Sequence, residues 1–310
     1  MRSAKKRIIL AILGIIFLSV LPFLSGPYYT HIFILVFINI TLAVGYRLLF
    51  VTGLASFCHI TFYGIGAYTS ALLSTRLGFP FLPSFLAAGL ASAAAAILLG
   101  WQAVRIRGPY FFLISFAFWA VIDSVFKHWR SLTGGPNGIH GIPLILGIAN
   151  VVFYYYVTIL FSAVSVFFMY RLDRSRFGFN LLAIGDADDL TELLGINVVM
   201  HRVLAFSIGA LFAGFAGSIY ASYAGFIAPS SFSLWSTLYI FVWTVIGGER
   251  KIWGPMLGAA LLTLIAESLR MSGILQATLY GVILVIVVLV APHGIVGLFN
   301  DIKSKRGAVL

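Results

Sequence analysis

The sequence predicts an all-α polytopic membrane protein. Its composition, its long uncharged runs and the placement of its basic residues all favour this fold class. Of its 310 residues, 61% are hydrophobic and 9% are charged, and the mean hydropathy is +1.05. Soluble domains carry about 25% charged residues, so the composition excludes an ordinary soluble protein. The excess of 20 Lys and Arg over 9 Asp and Glu fits loops beside lipid, and we do not expect nucleic-acid binding.

Ten helical spans are predicted from the uncharged runs and from the Pro and Gly residues that divide them. A hydrocarbon core about 30 Å thick needs about 20 helical residues, because backbone groups in lipid must be satisfied within the helix. The second or third span is a candidate for a broken or re-entrant segment, since Gly53, Gly64 and Gly66 make that stretch permissive. The predicted spans are residues 8–25, 29–49, 53–75, 81–104, 109–127, 150–170, 203–226, 232–247, 254–273 and 275–298.

The basic residues give an independent test of this count, because Lys and Arg concentrate in the cytoplasmic loops of membrane proteins. Ten spans place both termini in the cytoplasm, and 16 of the 20 basic residues then lie on that side. Only Arg76, Lys127, Arg130 and Arg270 lie outside. An alternative is that RSAKKR and the apolar run after it form a cleaved secretory signal, which leaves nine spans and the same loop charges.

The longest hydrophilic segment is the predicted cytoplasmic loop 171–202, and its centre, GDADDLTELLGINV, predicts one short helix. Asp186 is a suitable N-cap, Asp188 and Asp189 favour the positive end of the helix dipole, and Gly195 suits the C-terminal cap. Three leucines share one face at helical spacing: Leu190, Leu193 and Leu194. A two-turn helix is not stable alone, so these leucines pack either on the chain's own spans or on another subunit.

Charged side chains inside the predicted spans are few and lie near span ends. Asp123 precedes Lys127 by four residues and Glu267 precedes Arg270 by three, so we expect local ion pairs rather than a relay for proton coupling. A role of these two acids in the translocation pathway is the alternative that stays open. Stripes of small residues indicate close helix packing: Gly209, Ala213 and Gly217; Ala210, Gly214 and Ser218; and Gly254 with Gly258.

The sequence contains no recognisable catalytic or metal-binding arrangement. It has no Gly-x-x-x-x-Gly-Lys phosphate loop, so we do not expect this chain to hydrolyse ATP, and its six histidines lack metal-ligand spacing. The single cysteine, Cys58, excludes an intramolecular disulfide. His59 lies in an apolar, glycine-containing span, where it is either a hydrogen-bonded structural residue or a functional one.

Six segments in order along most of the chain carry a resemblance to a known family. They are GLASFCHITFYGIGAYTSALL from Gly53, RIRGPYFFLISFAF from Arg105, LTGGPNGIHGIP from Leu132, FGFNLLAIGDADDLTELLGINV from Phe177, LAFSIGALFAGFAGSIYA from Leu204 and IGGERKIWGPMLGAALL from Ile246. The chain resembles the permease subunits of branched-chain amino-acid ABC importers, specifically the LivM-like member of the LivH/LivM pair. The resemblance implies a single transmembrane permease domain over residues 1–310.

The resemblance also implies a larger assembly in a bacterial or archaeal inner membrane. This chain and a second, LivH-like permease form the pathway, and two cytoplasmic ATPases bind ATP and Mg²⁺, so no cofactor is expected on this chain. An external solute-binding protein delivers the solute. Leucine, isoleucine and valine are the solutes implied, and two alternatives stay open: a permease for urea, amides or other amino acids, and a standalone channel or facilitator for a small neutral solute.

Three groups of residues are the candidate sites that the resemblance indicates. The ATPase-coupling segment comprises Asp186, Asp188, Asp189, Leu190, Glu192, Leu193, Leu194 and Gly195. Because this segment begins with acidic residues, the identity of the partner ATPase stays open. The candidate translocation pathway comprises His59, Phe62, Tyr63, Gly66 and Tyr68. An external loop either docks the binding protein or only reverses the chain, and its residues are Thr133, Gly134, Gly135, Asn137 and Gly138.

Overall fold

The computed structural model describes residues 18–24, 26–106, 109–269, 281, 282 and 285, and most of this part of the chain is helical. The helices after residue 26 are α1 Pro27–Phe50, α2 His59–Arg76, α3 Phe81–Ala103, α4 Pro109–His128, α5 Arg130–Thr133, α6 Val151–Asp173, α7 Arg176–Asp186, α8 Asp188–Leu193, α9 Val198–Ala224, α10 Leu234–Gly247 and α11 Trp253–Leu269. Two short antiparallel strands pair with each other: β1 Ile139–His140 and β2 Phe226–Ile227.

Six helical segments of the described chain are long and apolar enough to cross a bilayer, which confirms the prediction of an all-α membrane protein. Helices α1, α3, α4, α6, α10 and α11 follow predicted spans closely. Of the first predicted span only residues 18–24 are described, and they are helical. The last predicted span, 275–298, lies outside the described residues apart from positions 281, 282 and 285.

Helices α1 and α9 form the centre of the bundle. In their most apolar stretches 78% and 72% of the residues are buried, against 17% in α4. Helix α9 packs on α1, α2 and α3, while α1 also packs on α6, α10 and α11. The peripheral helices α3, α4 and α6 therefore present most of their apolar surface outward, as helices facing lipid do.

The small-residue stripes of α9 bring its backbone against its neighbours, as the sequence predicts. A Cβ atom on Gly209 would lie 2.5 Å from the carbonyl oxygen of Gly45 in α1, and one on Gly217 would overlap the carbonyl oxygen of Tyr63 in α2. On the second stripe, Gly214 is in close backbone contact with Gly66. These contacts replace side-chain interdigitation with direct backbone packing.

Helix α2 begins at His59, later than the predicted start at residue 53. The residues before it, which we call the irregular segment 51–58, are not helical, and Gly53 has a φ of 81° that favours glycine. Helix α2 then runs unbroken through Gly64 and Gly66. The interruption expected in this region therefore precedes α2 instead of dividing it.

The irregular segment 51–58 is largely buried and hydrogen-bonded within the protein. The backbone N–H of Phe57 donates to Ser115 Oγ at 2.9 Å, and Arg202 donates to the carbonyl oxygen of Thr52 at 3.0 Å. Non-helical backbone in a membrane protein is tolerated where protein groups satisfy it. Tertiary contacts thus replace the helical hydrogen bonds that the sequence pattern predicts here.

Helix α9 begins at Val198, earlier than the predicted start at residue 203. Asn197 is its N-cap, and the Asn197 side chain accepts a hydrogen bond from the backbone N–H of Met200 at 2.9 Å. Arg202 consequently lies in the first turns of α9 and not in the preceding loop.

Candidate functional site

The segment predicted as one coupling helix is two helices, α7 and α8, separated by Ala187 in a non-helical conformation (φ −157°, ψ 89°). Helix α7 begins upstream because Ser175 caps it, its side chain accepting from the backbone N–H of Gly178 at 3.5 Å. Asp186 is therefore the last residue of α7, and its prediction as an N-cap is wrong.

The end of α8 follows the sequence prediction. Gly195 has a φ of 82°, and its N–H donates to the carbonyl oxygen of Glu192 at 2.9 Å. The N–H of Ile196 donates to the carbonyl oxygen of Thr191 at 3.4 Å. This pair of hydrogen bonds is a Schellman motif, whose left-handed position favours glycine.

The three leucines of α8 point away from the rest of the chain. Leu190, Leu193 and Leu194 are 64%, 83% and 81% exposed, whereas Thr191 between them is buried. The alternative in which these leucines pack on the chain's own spans is therefore wrong for the described structure. The exposed side chains of this helix and its end, which we call the α8 face, are Asp189, Leu190, Glu192, Leu193 and Leu194.

Helix α8 is attached to the bundle by Arg202 of α9. The buried guanidinium of Arg202 pairs with Asp188 Oδ2 at 2.9 Å and donates to the carbonyl oxygen of Thr52 at 3.0 Å. Gly185 at the end of α7 packs directly on the backbone of Val51, where a side chain would overlap the carbonyl oxygen. The α7–α8 pair thus contacts the irregular segment 51–58 that leads into α2.

A second buried arginine, Arg47, lies near the same end of the bundle. Its side chain is 1% exposed, pairs with Asp173 Oδ1 at 2.8 Å, and donates to the backbone carbonyl oxygens of Glu249 and Arg250. Arg47 therefore links the ends of α1 and α6 to the turn between α10 and α11. The neighbouring pair of Arg250 and Asp186, at 3.4 Å, is exposed on both sides.

The candidate pathway residues lie in different surroundings within the bundle. His59 is buried beside the contact between Gly45 and Gly209. Phe62 packs edge-to-face on Phe206 with ring centroids 5.0 Å apart. Tyr63 lines a cavity.

Two further candidates lie in packed regions of the bundle. Gly66 is in backbone contact with Gly214, and Tyr68 stacks on Phe126 with ring centroids 4.3 Å apart. Most of the predicted pathway set therefore packs α2 against its neighbours, and its role in transport stays a prediction.

The cavity beside Tyr63 has a volume of about 250 Å³ and lies between α1, α2, α9, α10 and α11. Sequence reasoning singled out Glu267 in this lining but missed Asn39 and Thr263, whose side chains hydrogen-bond at 3.0 Å. Asn39 is the only amide side chain in the uncharged run between Arg7 and Arg47. A lone amide in an apolar span is the signal that would have indicated it.

The conformation of the external loop is determined mainly by residues that are not exposed. The Thr133 hydroxyl is buried and donates to the carbonyl oxygens of Phe126 and Trp129, at 2.8 and 2.9 Å. Gly138 has a φ of 73° and packs on the backbone of Ile227. Gly134 and Gly135 also have positive φ, and of the predicted docking residues Asn137 is the exposed one.

The predicted ion pair in α4 is present. Lys127 Nζ lies 2.6 Å from Asp123 Oδ2 at the spacing i, i+4. Glu267 lines the cavity, and its predicted partner Arg270 lies outside the described residues.

Comparison with known proteins identifies the family of this chain. Residues 28–291 match the family described as the branched-chain amino acid transport system permease component. The chain is 30% identical to the permease LivM of Salmonella typhimurium over 306 residues, covering 90% of this chain and 71% of the relative, and 30% identical to LivM of Escherichia coli over 307 residues, with the same coverage. LivH of Escherichia coli is 28% identical over 288 residues, covering 83% of this chain and 90% of the relative. No solved structure gives a significant match. The chain therefore belongs to the family of branched-chain amino acid transport system permease components.

Proposed function

We propose that this chain is one of two permease subunits of an ATP-driven importer of branched-chain amino acids in a bacterial inner membrane. It crosses the bilayer ten times with both termini in the cytoplasm and pairs with a LivH-like permease. Two ATPases act on it from the cytoplasm, and a solute-binding protein delivers leucine, isoleucine or valine from outside. Family membership and the names of the relatives support the solute and the partners.

The α8 face is the observation that carries the proposal for ATPase coupling. A six-residue helix is not stable by itself, yet α8 is fixed to the bundle through the ion pair of Asp188 and Arg202. Its leucines are exposed on the far side. An apolar patch that a fixed helix presents outside the bundle is typical of a contact with another protein.

The negative charge of the α8 face supports a basic contact surface on the ATPase. Asp189 and Glu192 flank the exposed leucines and are themselves exposed. Complementary charge steers association and selects the partner more than it adds affinity. We therefore propose an ATPase groove with an apolar floor and Lys or Arg at its rim.

Direct contacts connect α8 and the end of α7 to the interior of the bundle. Gly185 and Arg202 both contact the irregular segment 51–58, and that segment leads into α2 and Tyr63 at the cavity. When ATP binding closes the two ATPases, a displacement of α8 is passed through these backbone contacts to α2. Packed elements transmit such shifts because they are close-packed and not continuously deformable.

The test is the substitution Leu193→Asp in the reconstituted complex of both permeases, both ATPases and the binding protein. An acid among the leucines should reduce leucine uptake at least about tenfold, because burying an unpaired charge in an interface costs several kcal/mol. Leu193→Met keeps the side chain apolar and is the matched control. Uptake and ATP hydrolysis by Leu193→Asp equal to those of Leu193→Met would contradict the coupling role.

The wild-type complex in the same experiment tests the broader assignment. ATP-dependent uptake of leucine is expected, with none in liposomes that contain this chain alone. Passive flux through this chain alone would instead favour a channel or facilitator. Uptake of urea or an amide in place of leucine would overturn the proposed solute.

A further inference from the structure

The cavity between α1, α2, α9, α10 and α11 has two chemically different ends. Deep in the bundle it is lined by the buried apolar side chains of Leu42, Ile60, Ile240 and Trp243. Toward the end of the bundle that carries β1 and β2, partly exposed polar residues line it: Ser231, Ser236 and Glu267. Asn39 and Thr263 lie between these two ends.

The polar lining offers both donors and acceptors. Asn39 Nδ2 donates to Thr263 Oγ1 at 3.0 Å, which leaves the Asn39 side-chain oxygen as an acceptor and the Thr263 hydroxyl hydrogen as a donor. The hydroxyls of Ser231 and Ser236 add further donors.

The volume and charge of the cavity restrict its ligand. At about 250 Å³ it is larger than a cavity of about 150 Å³ that holds benzene, and it suits a molecule the size of an amino acid. Its described lining residues include one carboxylate and neither Lys nor Arg. A solute with net negative charge is therefore disfavoured.

We propose that this cavity is a solute site within the subunit, and that it binds a zwitterionic amino acid with an aliphatic side chain. The ammonium group interacts with the Asn39 oxygen, and the carboxylate accepts hydrogen bonds from the hydroxyls. The aliphatic side chain points to the apolar end. The inference rests on the proposed function and deepens it, since it assigns specificity-determining residues to this chain and not to the binding protein alone.

The experiment compares Thr263→Val with Thr41→Val in the reconstituted complex, with labelled leucine and valine as the probes. Both substitutions replace a buried threonine hydroxyl, but Thr41 donates within α1 to the carbonyl oxygen of Phe37 and does not line the cavity. The readout is the number of solute molecules imported per ATP hydrolysed. A structural defect lowers both rates together, whereas a damaged solute site lowers the ratio.

The ratio should fall about tenfold in Thr263→Val, as expected from the loss of a hydrogen bond in a desolvated site, and should stay unchanged in Thr41→Val. Asn39→Leu should act in the same direction. If the wild type transports leucine and the two variants import the same number of solute molecules per ATP, the proposed solute site is overturned. Absence of ATP-dependent uptake by the wild type is a different result, which overturns the proposed function.

Labelling of a Ser236→Cys variant provides a second measurement that leaves Asn39 and Thr263 intact. The native Cys58 is buried, so modification by a thiol reagent reports the introduced cysteine. Leucine delivered by the binding protein should slow this modification. A labelling rate that leucine does not change would overturn the site.

Discussion

At the scale of single residues, the buried arginines Arg47 and Arg202 are each paired with a carboxylate and hydrogen-bonded to backbone although they lie inside an apolar bundle. Arg47 pairs with Asp173 and donates to the two backbone carbonyl oxygens at 249–250. Arg202 pairs with Asp188 and donates to the carbonyl oxygen of Thr52. A buried charge is tolerated when it is both paired and hydrogen-bonded. These two side chains therefore hold together segments that are far apart in the sequence.

The exposed pair of Arg250 and Asp186 provides a contrast to Arg47. We expect Arg47→Met to reduce the free energy of unfolding by about 3 kcal/mol, because it leaves Asp173 and two carbonyl oxygens without their donor. Arg250→Ala should cost less than about 1 kcal/mol, since the exposed pair is screened by water. Thermal unfolding of the detergent-solubilised chain measures both, and similar shifts in Tm would contradict the distinction.

Residue spacing predicts the ion pairs that are local and misses those that are not. Asp123 and Lys127 are one helical turn apart, so the sequence alone identifies them. The sequence predicts Asp188 as an acid near a helix N-terminus and as part of the coupling segment, but not as the partner of Arg202 that it is in the structure. Such a contact depends on how α8 and α9 pack, which no local pattern contains.

At the scale of elements, α9 is a helix whose backbone is a packing surface. The small-residue stripes predict this use, and the structure adds which neighbour each stripe contacts: Gly209 meets α1, Gly217 meets α2 and Gly214 meets α3 as well as α2. Backbones that approach closely make more van der Waals contacts. These contacts are important in lipid because hydrophobic burial contributes little to helix association there.

The loss of stability caused by substituting these glycines should therefore depend on what each glycine contacts and not on helix propensity. Gly217→Ala should destabilise the chain by about 1–3 kcal/mol because the new methyl group meets the backbone of Tyr63. Gly100→Ala in α3 is the control, since its nearest neighbour is the ring of Phe206 at 3.2 Å, which can move aside. Thermal unfolding distinguishes them, and an equal or greater loss in Gly100→Ala would contradict the explanation.

Element boundaries are where sequence reasoning was least successful, and each miss has a physical cause. The irregular segment 51–58 is apolar enough for a span, but its backbone is satisfied by Arg202 and Ser115 in place of helical hydrogen bonds. The break at Ala187 was missed because Ser175 starts a helix upstream and makes Asp186 its end. The C-terminal glycine at position 195 was predicted correctly because a Schellman motif is local.

At the scale of the whole molecule, the bundle places its two candidate interaction surfaces at opposite ends of α9. The α8 face precedes the N-terminus of α9, and the loop with Asn137 is joined by β1 and β2 to the residues after its C-terminus. A helix of 27 residues is about 40 Å long, at about 1.5 Å per residue. One surface therefore lies on each side of the bilayer in the proposed topology.

Single cysteines test this topology in intact cells. We expect a membrane-impermeant thiol reagent to modify Asn137→Cys from outside, whereas Leu193→Cys should react only after the membrane is opened. Both positions are exposed in the structure, and the native Cys58 is buried. The unmodified wild-type chain is the control. Labelling of Leu193→Cys in intact cells would contradict an inward-facing α8 and the orientation of every span after it.

The attachment of α8 has a consequence for how the complex is assembled. The contacts from Asp188 to Arg202 and from Gly185 to Val51, which attach this helix to the bundle, are made within one polypeptide. A recognition element that is already ordered loses little conformational entropy on association. In the proposed complex we therefore expect the nucleotide-binding subunits to dissociate and rejoin without refolding of their docking surface, so that contact chemistry and not a folding step governs their exchange.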